Sequence, residues 1–223
     1  MVVQIFYVIV AVVVVSLILF SRHIDHKRML SVRAFADKLN LSYCRRPEKY
    51  VCKRLRQKID GTDLFGAHRY PTIRNVIEGS VGEIFISMCD YEYITGAGEN
   101  RRTFQQTIVI ADANLPVFVL KPNNFLRRLG DRLVRRNIVF DEATDFSEMY
   151  HLSGADEVAV RQRFSPDVLS FFEAHRNFWL ESTGDVLLLY KRSTYVPPEE
   201  WPEILSVACE AYQRLERQRL VSA

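Results

Sequence analysis

Asp90 and Glu92 stand two residues apart in a stretch of strand-forming residues, EIFISMCDYEYI, so both project from one face of the same predicted strand. Two carboxylates so placed are the minimum equipment for general acid and base work. Asp141, Glu142, Asp145 and Glu148, in the 141–148 stretch, offer a second acidic group in a predicted loop. These residues carry the enzymatic alternative, a hydrolase-like activity held at a membrane. Arg101 and Arg102 lie across the predicted hairpin and can neutralise the first pair, and the acidic loop lacks the spacing and the turning Gly of a calcium loop. Whether the carboxylates line a pocket beside His68 or His151, or simply pair with arginines, separates the two readings.

Other motifs carry less. Thr95, Gly96, Ala97 and Gly98 lack the G-K-[S/T] ending of a phosphate loop and join two strands rather than a strand and a helix, so they read as a hairpin turn. Gly79, Ser80, Val81 and Gly82 lack the Gly two residues before the Ser that a nucleophile elbow needs. His23, His26, His68, His151 and His175 include no H-x-x-x-H on a predicted helix, and Cys44, Cys52, Cys89 and Cys209 form no C-x-x-C. The thiols read as reduced, with Cys52 and Cys209 on apolar helix faces where a bulky reagent reaches them poorly. No catalytic residue, cofactor or metal site is assigned.

The elements that must position these groups form an α+β pattern. Residues 83–94 and 102–111 make a hairpin in which partners summing to about 194 set Ile84 opposite Ile110, Ile86 opposite Ile108 and Glu92 opposite Arg102. A strand before Gly79 and another at 117–120 complete a meander, and 178–182 with 186–191 make a second hairpin around Gly184 and Asp185. Helices are expected from Ser31 to Leu39, after Pro47 to about Ile59, over the basic stretch 123–136, after Ser153-x-x-Asp156, after Ser165-Pro166-Asp167, and after Pro197 and Pro198. Hairpins flanked by helices describe an antiparallel sheet with helices laid on it. A break near 113–145 would divide the 31–221 domain into two halves.

What most distinguishes the chain is its start. Residues 2–20, VVQIFYVIVAVVVVSLILF, carry no charge and as a helix span about 28 Å, close to the hydrocarbon thickness of a bilayer. Neither a positive n-region nor a small-x-small cleavage site accompanies them, so the run reads as an uncleaved anchor, residues 1–21, followed by a polar connection over 22–30. Arg22, Lys27, Arg28 and Arg33 all flank its C-terminal end, which places the domain on the cytoplasmic side of a cell (inner) membrane. Residues 22–58 hold twelve Lys or Arg against three acids, a net +9 in a chain whose total is +3. Arg46, Lys49, Lys53 and Arg56 share one face of the helix after Pro47, a candidate contact for anionic phospholipid. No stacking motif or helix-turn-helix accompanies these charges, so nucleic acid is not an expected partner. A bilayer and a protein partner at its surface are.

The segments 89–96 (CDYEYITG), 115–122 (LPVFVLKP), and 145–150 (DFSEMY) with 154–157 (GADE) together resemble a family of uncharacterised bacterial membrane-anchored proteins. The resemblance covers about residues 31–215 and implies no activity. The reading is therefore a membrane-tethered, cytoplasm-facing binding or assembly module.

Overall fold

A computed structural model describes residues 2–64, 69–96, 98–123 and 137–221. The expected basic helix over 123–136 falls almost wholly outside them, as do His68 and Ala97.

The chain opens with one helix, α1 (Val2–Lys38), where an anchor, a polar connection and a separate helix starting at Ser31 were expected. The correction has a simple cause: no Gly or Pro stands anywhere in residues 1–46, and Arg, His, Asp and Lys decorate a helix without ending it. It stops where Asn40 adopts φ +53°, with the Leu41 N–H donating to the Ala36 carbonyl (2.9 Å) and the Asn40 N–H to that of Asp37 (3.3 Å). That is a Schellman motif, with Asn in place of the usual Gly.

The remaining elements in chain order are β1 (Ser42–Cys44), α2 (Lys49–Ile59), β2 (Arg69–Val81), β3 (Ile84–Thr95), β4 (Arg102–Asp112), β5 (Phe118–Pro122), α3 (Thr144–Met149), β6 (Tyr150–Gly154), α4 (Glu157–Arg163), α5 (Pro166–Ala174), β7 (Trp179–Ser182), β8 (Val186–Tyr190) and α6 (Trp201–Val221). The strands form one antiparallel sheet in the order β1-β2-β3-β4-β8-β7-β5-β6, and the fold is α+β as its sequence pattern requires.

Two expectations about pairing are corrected. The β3–β4 hairpin pairs Thr95 with Arg102, Glu92 with Gln105 and Ile86 with Ala111, a shift of three from the expected register. A 3-10 turn, Gly98–Asn100, shapes the loop, and a Cβ on Gly96 (φ +75°) would meet the Asn100 carbonyl oxygen at 2.3 Å. The geometry of the loop fixes the closing pair, Thr95 with Arg102, and that pair sets every other partner along the hairpin. The strand near 117–120 does not continue the first meander: β5 lies between β7 and β6, and β8 takes the place beside β4. The sheet therefore runs unbroken through the pairing of β4 with β8.

Alternation along the strands divides the core in two. Ile86, Met88, Val109, Leu187 and Leu189 turn to the face covered by α1, α3, α4, α5 and α6. Cys89, Tyr91, Ile108, Leu188 and Tyr190 turn to the opposite face, against Leu55 and Ile59 of α2. Ser165 precedes α5 as expected, whereas Ser153 lies within β6 and Asp156 caps α4 alone, accepting from the Ala159 N–H at 2.9 Å.

Candidate functional site

Helix α1 leaves the domain as a bare rod. Every described side chain from Phe6 to Lys27 is exposed, including the large apolar ones, and the helix is long and apolar enough to cross a membrane. From Arg28 onward it is held: Arg28, Val32 and Ala36 are buried at four-residue intervals, and Phe35 meets Trp201 edge to face with ring centroids 6.3 Å apart.

Arg28 is the uppermost of these contacts and the one with chemistry. Its Nε donates to Asp90 Oδ2 (2.9 Å) and its Nη2 to Oδ1 (2.6 Å), a bidentate pair between side chains 8% and 4% exposed. Asp90 also accepts from Asn75 Nδ2 (2.8 Å) and the Tyr195 hydroxyl (3.2 Å), and Thr107 Oγ1 approaches it at 3.4 Å. The central carbon of the guanidinium lies over the Tyr195 ring, 3.6 Å from its centroid. Asn75 reaches Asp90 because it sits in the left-handed region (φ +49°) at an irregularity of β2; its Oδ1 accepts from the Tyr43 hydroxyl (3.0 Å) and its N–H donates to the Arg45 carbonyl (3.0 Å). Burial works to lower the Arg28 pKa, but the hydrogen bonds and charge of Asp90 outweigh it and the net shift is upward. Burial drives the Tyr195 hydroxyl well above its ordinary range, with the Asp90 charge adding to it.

This geometry settles where the nominated carboxylates go. Asp90 pairs with an arginine, but with Arg28, 62 residues upstream, rather than Arg101 or Arg102. Glu92 accepts from Gln105 Nε2 at 2.7 Å. Asp141, Glu142, Asp145 and Glu148 are all exposed, the last two on α3 rather than in a loop. His151 is buried on β6, five strand spacings or about 24 Å from β3, so it shares no site with Asp90.

The nominated lipid face also divides. Arg46 lies outside α2, which starts at Lys49, and is exposed like Lys49 and Lys53, whereas Arg56 is half-buried and donates from Nη2 to the Pro71 carbonyl. Arg54 and Lys58 are spent fastening α2 to the sheet through Glu78 (2.5 Å) and Asp112.

Sequence reasoning missed Arg28 as a site residue, yet the signal was present: an arginine on the same helical stripe as Val32 and Ala36. It also missed Glu181. This carboxyl, 1% exposed on the α2 face, accepts from the Tyr190 hydroxyl (2.5 Å) and the Asp63 N–H (2.6 Å). The neighbouring Lys121 is paired with Asp63 instead. Burial pushes the Glu181 pKa up and that of Tyr190 well up.

No family model matches the chain, and no curated protein matches it either. Among solved structures, it is similar to the crystal structure of the mycobacterial trehalose monomycolate transport factor A, TtfA, at 14% identity over 84% of this chain and 93% of that one, with a TM-score of 0.52. At that identity the likeness shows a shared fold.

Proposed function

We propose that this chain is a membrane-tethered, cytoplasm-facing binding or assembly module in which α1 spans the bilayer and holds the domain in a fixed attitude beneath it. The observation that carries the reading is the single helix Val2–Lys38, exposed and apolar at one end and locked into the domain by Arg28 and Asp90 at the other. A flexible tether lets a domain sample many heights; a continuous helix does not. Arg28 lies eight residues beyond Phe20, about 12 Å past the apolar run, so the domain begins at the headgroup layer. A likeness in fold to a transport factor supports an accessory role. Among the described residues Asp90 is committed to Arg28 and Glu92 to Gln105, which favours the binding reading over the enzymatic one. The three sequence segments that resemble uncharacterised bacterial membrane-anchored proteins fit the same reading, two of them being β3 and β5. The exposed Arg46, Lys49 and Lys53 favour anionic lipid as a neighbour.

The test uses the full chain with a C-terminal alkaline phosphatase or fluorescent-protein fusion, followed by alkaline extraction of membranes and in-membrane crosslinking. The expected result is an inactive phosphatase, a fluorescent reporter, retention in the extracted membrane and a discrete crosslinked partner. An active phosphatase contradicts the sidedness, release by alkali contradicts the anchor, and recovery of the uncrosslinked chain alone contradicts the assembly role.

A further inference from the structure

Beside the Arg28–Asp90 pair the surface folds into a small polar recess lined by Asp25, Arg45, Arg46, Arg74, Asn75 and Tyr195. It is assembled from α1, the segment after β1, the irregular part of β2 and the loop before α6. Two of its polar groups are already engaged: Asn75 donates to Asp90 and accepts from Tyr43, and the Tyr195 hydroxyl donates to Asp90. The three arginines are different. Among the described residues none of their guanidinium groups lies within ion-pair distance of a carboxylate, although Asp25 lines the same recess. Three guanidinium groups against one carboxylate leave the recess positively charged.

Its shape and position restrict what it takes. The cavity of about 30 Å³ has room for about two oxygen-sized groups, since one needs roughly 10–15 Å³, so it admits the edge of a tetrahedral oxyanion and excludes an acyl chain or a base. Planar guanidinium groups match phosphate oxygens two at a time. Asp25 follows Phe20 by five residues, which sets the recess about 8 Å beyond the apolar run, at the depth of lipid phosphates. The left-handed Asn75 at the β2 irregularity sends its own side chain inward to Asp90 while the neighbouring Arg74 is exposed, so the device that completes the clamp also leaves Arg74 available to the recess.

We infer that this recess is a phosphoryl-binding site at the helix–domain junction, taking the phosphate of an anionic lipid headgroup or free phosphate. The inference rests on α1 spanning a bilayer for its depth, and on the arginine cluster alone for its chemistry. It differs from a general attraction of α2 to lipid, because Arg45 and Arg74 lie outside that helix.

The experiment reconstitutes the full chain in nanodiscs of phosphatidylcholine and phosphatidylglycerol in equal amounts. Lipid retained on the released protein is counted by native mass spectrometry, with and without added inorganic phosphate. The variants are Arg45→Gln with Arg74→Gln, the charge-conserving Arg74→Lys, and the control Arg101→Gln with Arg102→Gln, exposed arginines of the β3–β4 hairpin end. All replace exposed side chains, so folding is preserved. The wild-type protein is expected to retain phosphatidylglycerol over phosphatidylcholine. The double arginine variant loses that preference by about tenfold or more, the effect of removing a charge-assisted hydrogen bond. Arg74→Lys loses part of it and the Arg101 and Arg102 control keeps it. Saturable binding of inorganic phosphate that depends on Arg45 and Arg74, with no lipid preference, also supports the site and identifies free phosphate as its ligand. Neither lipid preference nor phosphate binding, or a preference that survives Arg45→Gln with Arg74→Gln, overturns the inference. Failure of the chain to enter nanodiscs at all is a separate outcome that counts against the anchor; phosphate binding to the detergent-held chain then decides the site, its absence overturning it.

Discussion

The two faces of the sheet each bury a carboxylate, and they treat it in opposite ways. Asp90, on the face that α1 covers, receives a bidentate arginine and two further donors. Glu181, on the face that α2 covers, receives a tyrosine hydroxyl and a backbone N–H, while the neighbouring Lys121 is drawn to Asp63. Burial of an ion pair costs more than its attraction returns unless the geometry is good, so a paired carboxylate is seldom present for stability alone. On the α1 face the pair joins two parts of the molecule, the anchor helix and the sheet. On the α2 face the buried carboxyl is held by neutral donors, and the ion pairs that fasten α2 to the sheet, Arg54 with Glu78 and Lys58 with Asp112, lie at more exposed positions. The difference teaches that charge is placed where orientation between elements matters.

Removing one partner should break this contrast most severely. Asp90→Ala leaves Arg28 buried without a counter-charge and should destabilise the domain by about 3–5 kcal/mol, measured by denaturant melting of the full chain in detergent. Replacing both partners together, Arg28→Met with Asp90→Leu, should recover much of that loss while loosening the angle between helix and sheet. A double variant as unstable as Asp90→Ala would mean that the surrounding hydrogen bonds, rather than the charge pair, carry the cost.

Glu181→Gln sharpens the comparison through pH. Burial raises the folded-state pKa of Glu181 above its ordinary 4.5, so the carboxyl prefers its proton in the folded state. Its contribution to stability is fully present below about pH 4.5 and is lost as the pH rises through the folded value. The wild-type protein should therefore lose stability across that window, whereas Glu181→Gln should not, and melting temperatures of the two should diverge in favour of the variant as the pH rises. Parallel curves would show that Glu181 ionises as easily folded as unfolded.

How much of this was legible beforehand follows from the range over which each feature acts. The β3 and β4 strands, the β7–β8 hairpin with Gly184 at φ +109°, and the starts of α2, α5 and α6 are encoded by neighbours in sequence and were readable. The β3–β4 register was not, because the conformation of the loop, with its 3-10 turn at Gly98–Asn100, fixes the closing pair Thr95 with Arg102, and strand ends alone do not give it. Nor was the order of strands, since β4 pairs with β8, some 80 residues away, leaving no local trace. The candidate site fared similarly. Asp90 was recognised as a residue with chemistry, but its partner lies 62 residues upstream in a stretch read as a polar connection. Arg56 was read as facing outward because its helical angle says so; the long side chain instead folds back to Pro71.

The smallest effect expected concerns the thiols, which lie on both sides of the comparison. Cys89 is fully buried beside Asp90 with its pKa pushed well up by burial, Cys52 and Cys209 are half-buried, and Cys44 is exposed. A bulky maleimide should label Cys44 first in the native protein, Cys52 and Cys209 slowly, and Cys89 only after unfolding. Early labelling of Cys89 would place β3 elsewhere than in the centre of the core.

The central claim is that α1 and the domain are one rigid body joined at Arg28. Amide hydrogen exchange on the full chain in nanodiscs tests it within a single helix, because residues 22–27 and 29–36 belong to the same α1 and only the second set is docked. The account predicts that amides of 29–36 exchange as slowly as those of β3, opening only when the whole domain does, with a sharp rise in rate at 22–27. Exchange of 29–36 at the rate of 22–27, orders of magnitude faster than β3, would show the helix detaching while the sheet stays folded, and would contradict the clamp.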